Sequence, residues 1–264
     1  MYRPTLRYRP RHRARASPSS PLRPVTWDDL VVREATVDDL DATAHLHIEE
    51  LPVGFFPDLG PRFMRRWHKT FLESPHAVAF VAVCRYGTDE VVCAFLMGST
   101  DESAHMRVVL ADRRCLLTLA SIAALSLLRR PSQAVRFLRT RAWPWTRRLV
   151  SVVTSRSAVR PARTDPAPVA LLAAVAVRPQ LRGSGVGARL VELFLVHAHE
   201  RGAATAELLT RTGPEGAGAF YEHLGWSAGH EHLSRDGVSV RSYRRCLGPP
   251  ADPGTFCAGG GADL

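Results

Sequence analysis

Lysine is almost absent from this sequence: of its 35 basic residues, only Lys69 is a lysine. A Walker A loop needs a lysine directly after a glycine, and Lys69 follows a histidine, so that kind of phosphate site is excluded. The five cysteines show no Cys-x-x-Cys spacing, which argues against a zinc site or a disulfide scaffold. We therefore expect Cys84, Cys93 and Cys115, which lie in apolar segments, to be packing residues of a cytoplasmic protein kept in a reducing compartment.

Long apolar runs are also missing. The run at 115–128 is too short to span a bilayer, and no apolar stretch of signal-peptide length follows the basic N-terminal segment. Residues 1–25 are rich in arginine and proline and contain no acidic residue, which predicts a disordered basic arm. Such an arm is either inert or contacts nucleic acid or anionic lipid. The glycine- and proline-rich residues 248–264 predict a flexible tail.

The remaining chain, 26–247, alternates strand and helix patterns. Apolar runs bounded by glycine, proline and acidic turns predict strands at 30–35, 77–84, 91–99, 168–177, 204–210, 227–233 and 238–246. Apolar spacing typical of helices occurs at 36–51, 61–73, 185–201 and 215–224. This order predicts an α/β fold with a mixed central sheet flanked by helices, in one domain that carries an insertion at about 102–166.

The junction between the strand at 168–177 and the next helix has an unusual composition. Gln180 and Arg182 precede glycines at three alternate positions, 183, 185 and 187. Such glycines let the backbone approach a ligand and aim several N–H groups at it, and the helix N-terminus adds further donors. The pattern favours a diphosphate site, with Arg182 as an additional cation; an ordinary strand-to-helix turn is the alternative. The Rossmann pattern, Gly-x-Gly-x-x-Gly, has a different spacing.

Two motifs resemble a known family. Residues 180–185 fit the acyl-coenzyme A signature of the GNAT acetyltransferase superfamily, Gln/Arg-x-x-Gly-x-Gly/Ala, position for position. Residues 217–226 look like that family's Ala-x-x-Phe-Tyr-x-x-x-Gly-Phe segment. The resemblance covers 30–247 loosely and 169–247 well. It implies a mixed, mostly antiparallel sheet flanked by helices, with 102–166 as a helical insert, and a reaction that needs no metal.

The resemblance also implies acetyl-CoA as the co-substrate. Its diphosphate would be held by the glycine loop. A backbone N–H at the end of the 169–177 strand, of Ala176 or Val177, would stabilise the developing oxyanion where the family's sheet splays. One position departs from the family: Pro214 stands where an asparagine is usual six residues before the Phe-Tyr pair, which puts local contacts with the co-substrate in doubt. The cofactor-binding residues expected on this basis are Ala176, Val177, Gln180, Leu181, Arg182, Gly183, Ser184, Gly185, Val186 and Gly187.

Acyl transfer from a thioester to an amine needs a proton acceptor for the amine and a proton donor for the departing thiolate. The resemblance places Tyr221 beside the sulfur as the donor; a core aromatic is the alternative. Glu207 lies mid-strand and is either the base or a surface acid beside Arg211. A water chain can also serve as the base in this superfamily. Further candidates for the base lie in the first helix: His45, His47, Glu49 and Glu50.

We therefore expect an N-acetyltransferase that acts on a small amine or amino sugar by direct attack, without an acyl-enzyme. O-acetylation stays open. The alternative is a non-catalytic acyl-CoA sensor that uses the arm and the insert as contact surfaces. The insert has an apolar run followed by arginines among aromatics. We expect either a helical hairpin packed on the sheet or on a second subunit, or a weak membrane-surface contact through 115–148, or a contact with an acidic partner, or a lid over the substrate. A homodimer is left open, and nucleic acid is a disfavoured partner.

Overall fold

The computed structural model describes residues 30–86, 89–128, 167–214, 216–234 and 236–248. The predicted arm at 1–25, the tail beyond residue 248 and residues 129–166 of the insert lie outside the described residues, so those expectations stay predictions.

Seven strands form one sheet in the order β1-β2-β3-β4-β5-β7-β6. Only β4 and β5 pair in parallel, and every other neighbouring pair is antiparallel. The predicted fold class, a mixed and mostly antiparallel sheet flanked by helices, is confirmed. The strands are β1 (Leu30–Glu34), β2 (Ala77–Tyr86), β3 (Asp89–Ser99), β4 (Val169–Val177), β5 (Thr205–Arg211), β6 (Ser227–Leu233) and β7 (Ser239–Cys246).

Helices cover both faces of the sheet, which explains why β2 and β3 are apolar along most of their length. Successive side chains of β2 alternate between the faces: Val81 packs with Leu46 and Phe71, whereas Phe80 packs with Phe194. The helices are α1 (Leu40–Glu50), α2 (Phe55–Asp58), α3 (Pro61–Glu73), α4 (Glu102–Ala111), α5 (Arg113–Leu128), α6 (Val186–Glu200) and α7 (Gly218–His223), and short 3-10 turns at Val37–Asp39 and Pro179–Leu181 precede α1 and α6.

The approach of α6 to the sheet depends on Gly98 of β3. A β-carbon built at Gly98 would lie 2.6 Å from the ring of Phe194, which is fully buried. The absence of a side chain at this position therefore makes room for the largest core residue of α6, and so sets the depth at which α6 rests on β3 and β4.

The described part of the insert, 102–128, forms the α4–α5 pair. Helix α5 packs on the cluster around Phe63 and Met64, and Ser126 Oγ donates to the carbonyl of Leu59 at 2.9 Å. Helix α5 thus packs on α2 and α3, and the expectation that the insert packs on the sheet or on a second subunit stays a prediction. Its opposite face leaves Leu117 70% and Leu128 81% exposed. No helix among the described residues is both long enough and apolar enough to cross a membrane.

Two cysteines correct the expectation of free packing thiols. Cys84 of β2 and Cys93 of β3 form a disulfide with a Cα–Cα distance of 6.2 Å, while Cys115 is buried and free. The register skips Cys93, since Ala82 pairs with Ala94 and Val83 with Val92, so a β-bulge brings Cys93 beside Cys84. A bulge does not change the apolar pattern of the sequence, so the proximity of Cys84 and Cys93 could not be predicted from it.

Candidate active site

The sheet opens into a wedge between β4 and β5. Their parallel pairing runs from Val169 opposite Thr205 to Leu172 opposite Leu208 and then stops. Beyond that point β4 continues along β3, and β5 continues along β7. The carboxyl ends of two adjacent parallel strands therefore diverge, which leaves backbone groups of β4 without a strand on one side.

A β-bulge at Ala173 determines how β4 enters this wedge. In the ladder with β3, Leu172 pairs with Gly98 and Ala174 with Met97, so Ala173 is the extra residue. As a result, Leu172 packs on the α6 face and Ala174 on the α1–α3 face, although residues two apart in a regular strand share a face. The bulge thus changes the phase of residues 174–177 at the wedge.

The hydrogen bonds at the end of β4 show which amides face the wedge. Arg178 N donates to the carbonyl of Cys93 at 2.9 Å, so its N–H points toward β3. Because N–H directions alternate along a strand, Ala176 also points toward β3, whereas Val177 points into the wedge. The carbonyl of Val177 agrees, since it accepts from Arg182 Nε at 3.4 Å on that side. Of the two expected oxyanion donors, Val177 has the suitable direction.

The glycine loop carries a row of backbone donors. Gly183 and Gly185 have φ angles of 78° and 88°, which other residues rarely adopt. Ser184 N and Ser184 Oγ both donate to the carbonyl of Leu181, and Arg189 N donates to that of Gly185. In the loop and the first turn of α6, five N–H groups have no backbone acceptor among the described residues: those of Gly183, Gly185, Val186, Gly187 and Ala188. Together with the N-terminal end of α6, these donors form a concentrated anion-binding surface.

Buried side chains hold this loop in place. Leu181 packs on Cys84 and Cys93, and Val186 is almost fully buried in the α6 core. A β-carbon at Gly187 would lie 3.4 Å from Val177 and 3.5 Å from Phe220, so α6 begins close to the end of β4. Since Leu181 and Val186 point into the protein, they can offer a ligand only their backbone. The side chains of Gln180 and Arg182 are exposed.

Two ion pairs connect the loop with the C-terminal end of α1. Arg182 Nη2 lies 2.5 Å from Glu50 Oε2, and Arg178 Nη1 lies 3.9 Å from Glu49 Oε2. Arg178 also donates through Nε to the carbonyl of Val92 at 3.2 Å. The two acidic residues considered as bases are therefore the partners of loop arginines.

Comparisons with known proteins bear on this arrangement. The family model described as "Acetyltransferase (GNAT) family" matches residues 134–226, which include the glycine loop, the wedge strands and α7. The match covers less than half of the chain, and it is to the family that the two sequence motifs resemble. Enzymes of that family are acetyltransferases that use acetyl-CoA as the co-substrate. No curated protein matches the sequence.

The fold is similar to that of a solved structure, SsHAT. The structure of SsHAT is 20% identical and superposes with a TM-score of 0.51, covering 84% of this chain and all of that one (100%). A Drosophila melanogaster polyamine N-acetyltransferase is 16% identical with a TM-score of 0.46, over 83% of this chain and 100% of its own. The ribosomal-protein-S18-alanine N-acetyltransferase from Escherichia coli is 17% identical with a TM-score of 0.44, over 86% and 99%.

The expected acid, Tyr221, lies in α7 on the α6 face of the sheet. Its ring is buried among Phe220, Trp226 and Tyr243, and burial raises its pKa above the ordinary value for tyrosine. The hydroxyl has no hydrogen-bond partner among the described residues, whereas the Tyr243 hydroxyl donates to Glu222 at 3.0 Å. Tyr221 thus keeps its proton and has a donor that is not already used within the described structure.

The expected base, Glu207, has a strong partner. Arg244 stands directly opposite it in the β5–β7 ladder and donates to Glu207 Oε1 through Nε at 2.9 Å and Nη2 at 2.5 Å. The cation beside Glu207 is therefore Arg244 rather than Arg211, because an antiparallel register joins residues that are distant in sequence. This double contact reduces the availability of the carboxylate as a proton acceptor, and the base role of Glu207 remains a prediction.

The two histidines of α1 differ sharply. His45 is in a solvent-facing position, with Nδ1 2.7 Å from the carbonyl of Asp41. His47 is buried, and its Nδ1 lies 3.1 Å from Nε2 of His68 in α3. His68 was missed in the sequence, although Met64, His68 and Phe71 share one face of α3 at helical spacing. Among the described residues, no three His, Cys, Asp or Glu side chains converge to hold a metal ion.

Proposed function

We propose that this protein is an acetyl-CoA-dependent N-acetyltransferase that transfers the acetyl group directly to a small amine or amino sugar. The observation that carries the proposal is the juxtaposition of a sheet wedge with a row of backbone donors at the start of α6. The donors suit a diphosphate, and the wedge suits a narrow, extended arm that leads from it into the sheet.

The residues present fit this co-substrate. The positive φ angles at Gly183 and Gly185 turn the chain so that amides face outward, and the first amides of α6 continue the row. Arg182, with a side chain 59% exposed, is close enough to add a cation once its contact with Glu50 rearranges. The remaining proposed contacts are backbone groups of Val177, Leu181, Ser184, Val186 and Gly187 and the exposed side chain of Gln180. Ala176 is left out, because its N–H points toward β3.

Bound acetyl-CoA supplies the acetyl group, and coenzyme A departs as the free thiol. The wedge-facing N–H of Val177 is placed to donate to a carbonyl oxygen that gains negative charge. Tyr221 keeps its proton across the physiological pH range, as an ordinary tyrosine does, so its hydroxyl can donate to the departing thiolate. Burial raises its pKa and so lowers its acidity. We assign no nucleophile, since direct attack by the acceptor requires none.

Thiol release measures this reaction without knowledge of the acceptor. The full-length protein is incubated with acetyl-CoA and a panel of amines, including polyamines, agmatine and amino sugars, while free thiol and acetylated product are quantified. Binding of acetyl-CoA is measured in parallel by calorimetry. Binding with amine-dependent thiol release supports the proposal; binding without release across the panel supports the alternative of a non-catalytic acyl-CoA sensor. Absence of binding contradicts both.

Two further proposals concern the cellular location of the protein and its contact with membranes. We propose a cytoplasmic location and, through 115–148, a weak contact with membrane surfaces; the exposed Leu117, Leu125 and Leu128 of α5 support the latter. Flotation with liposomes of anionic and neutral lipids, for the intact chain and for Leu117→Ser, tests it. Loss of flotation in the variant is expected, and equal flotation of both proteins would contradict a contact through α5.

A further inference from the structure

Two buried histidines near the wedge have no role in the transfer as described so far. His47 of α1 is 7% exposed, and His68 of α3 is fully buried. They share a hydrogen bond of 3.1 Å between His47 Nδ1 and His68 Nε2, and His68 Nδ1 lies 3.0 Å from the hydroxyl oxygen of Thr43. Burying polar groups in an aromatic core costs free energy unless each group has a hydrogen-bond partner. The donor and acceptor of each hydrogen bond therefore determine which ring nitrogens carry protons.

The direction of the chain follows from the single proton of the Thr43 hydroxyl. That proton is donated to the carbonyl of Leu40, at 3.2 Å. Thr43 Oγ1 must therefore accept from His68 Nδ1–H, which leaves His68 Nε2 as an acceptor. His47 Nδ1 then carries the proton that is donated to His68. Only the lone pair of His47 Nε2 is left, and this atom has no partner among the described residues.

Both rings are held neutral. Burial lowers the pKa of His47 to about 4 and lowers the pKa of His68 well below its ordinary value, where the nearby His47 adds to the effect. A neutral ring leaves its accepting lone pair unprotonated at pH 7, and the same burial makes that lone pair less basic than in an exposed histidine. The tautomer derived above therefore places the accepting lone pair at Nε2 of His47.

The location of His47 relates it to the wedge. Its ring stacks on Phe95 with centroids 5.6 Å apart, and Phe95 pairs with Ala176 near the end of β4. One turn further along α1, Glu50 contacts Arg182 of the glycine loop. His47 thus lies on the α1–α3 face at the wedge end of β4, whereas Tyr221 lies on the α6 face.

We propose that His47 is the general base of the transfer and that His68 and Thr43 are positioning residues that fix its tautomer. This inference rests on the proposed function. As the acceptor nitrogen forms its bond to the acetyl carbon, one N–H bond breaks and the proton moves to His47 Nε2. The carbon–sulfur electron pair leaves with sulfur, which takes a proton from Tyr221. His47 later releases its proton to water, and Tyr221 regains one, so the cycle is balanced.

The variants Thr43→Val and Thr43→Ser form a matched pair that leaves His47 itself unchanged. Without the hydroxyl, His68 can place its proton on Nε2 and donate to His47 Nδ1, which moves the proton of His47 to Nε2 and removes the base. Histidine ring ¹⁵N spectra report the tautomer directly. We expect Nε2 of His47 to be unprotonated in the wild type and in Thr43→Ser, and protonated in Thr43→Val.

The kcat should fall in each variant in which Nε2 of His47 becomes protonated or is removed. We expect Thr43→Val and His47→Gln to reduce kcat roughly 100-fold, the lower end for a lost general base, while acetyl-CoA affinity by calorimetry is unchanged. Thr43→Ser should stay within about threefold of the wild type, because its hydroxyl can still accept from His68 Nδ1. An unchanged kcat in a Thr43→Val protein with the altered tautomer would overturn the proposal, as would full activity of His47→Gln. Wild-type protein that binds no acetyl-CoA would instead overturn the proposed function.

Discussion

Arg182 of the glycine loop and Glu50 of α1 form an ion pair with 2.5 Å between Nη2 and Oε2. The contact ties the segment that is proposed to hold the diphosphate to the helix that carries His47. It also places a carboxylate, only 13% exposed, beside the anion site. A bound diphosphate competes with Glu50 for the same guanidinium, so the ion pair opposes binding as well as ordering the loop.

Removing Arg182 and removing Glu50 should therefore change acetyl-CoA affinity in opposite directions. Arg182→Ala should weaken binding by about tenfold or more, since hydrogen bonds to charged groups contribute about 1.5–3 kcal/mol. Glu50→Gln should strengthen binding by a few fold, because the competing charge is lost. Calorimetric titration of both variants tests this. Tighter binding by Arg182→Ala, or weaker binding by Glu50→Gln, would contradict the competition.

The backbone conformation of Gly185 should matter both for stability and for acetyl-CoA binding. Gly185 and Gly202 both adopt positive φ angles, at the two ends of α6. Alanine at either position should cost about 1–2 kcal/mol of stability from backbone strain. Only Gly185→Ala should also weaken acetyl-CoA binding, and Gly185→Glu should abolish it by adding a bulky negative charge. Thermal unfolding with and without acetyl-CoA measures both quantities; equal loss of binding in Gly202→Ala would show that strain alone is responsible.

Much of this architecture was predictable from the sequence because it depends on local patterns. The alternation of apolar residues indicated the strands, and the alternate spacing of the glycines at 183, 185 and 187 was enough to locate the loop. Element ends differ slightly: α7 covers Gly218–His223 rather than 215–224, and the short helix Phe55–Asp58 lies between the two predicted helices at 36–51 and 61–73. These differences reflect end effects that propensity does not resolve.

The parts that could not be predicted depend on register. The pairing of Glu207 with Arg244 is fixed by the β5–β7 ladder, and the disulfide partner of Cys84 depends on a bulge at Cys93. The hydrogen bond between His47 and His68 joins two helices whose relative rotation is set by packing. Each of these contacts combines residues from separate elements, and a single sequence does not contain their relative placement.

Tyr221→Phe tests the proton donor. The change removes only the hydroxyl from a buried ring, so the fold and acetyl-CoA affinity should survive while kcat falls roughly 100-fold. Tyr243→Phe is the matched control, since it removes a buried hydroxyl from the same cluster, one that is already bonded to Glu222. Steady-state thiol release measures both. Equal turnover of Tyr221→Phe and wild type would reject the assigned acid.

The stability of the domain should depend on pH through Asp39. Burial alone would raise its pKa, but hydrogen bonds from Arg33 and from the backbone and hydroxyl of Thr36 lower it overall. A folded-state pKa below the unfolded value of about 3.9 stabilises the fold above that pH, and the stabilisation is lost as pH falls through the folded pKa.

Asp39→Asn should therefore reduce the free energy of unfolding by about 1–3 kcal/mol at pH 7. The difference from wild type should shrink as the pH falls below about 3.9, where the wild-type carboxylate also becomes protonated. Urea unfolding at several pH values measures this. Asp38→Asn, at an exposed neighbouring position, should behave like the wild type throughout. A pH-independent difference for Asp39→Asn would exclude the linkage.

The central claim is that main-chain amides from Gly183 to Ala188 hold the diphosphate of acetyl-CoA while its thioester lies in the wedge beside Val177. A crystal structure of the protein with acetyl-CoA tests it most directly. We predict phosphate oxygens within hydrogen-bond distance of these amides and the thioester oxygen near Val177 N. A diphosphate bound elsewhere, with the wedge between β4 and β5 filled by protein side chains, would contradict the account.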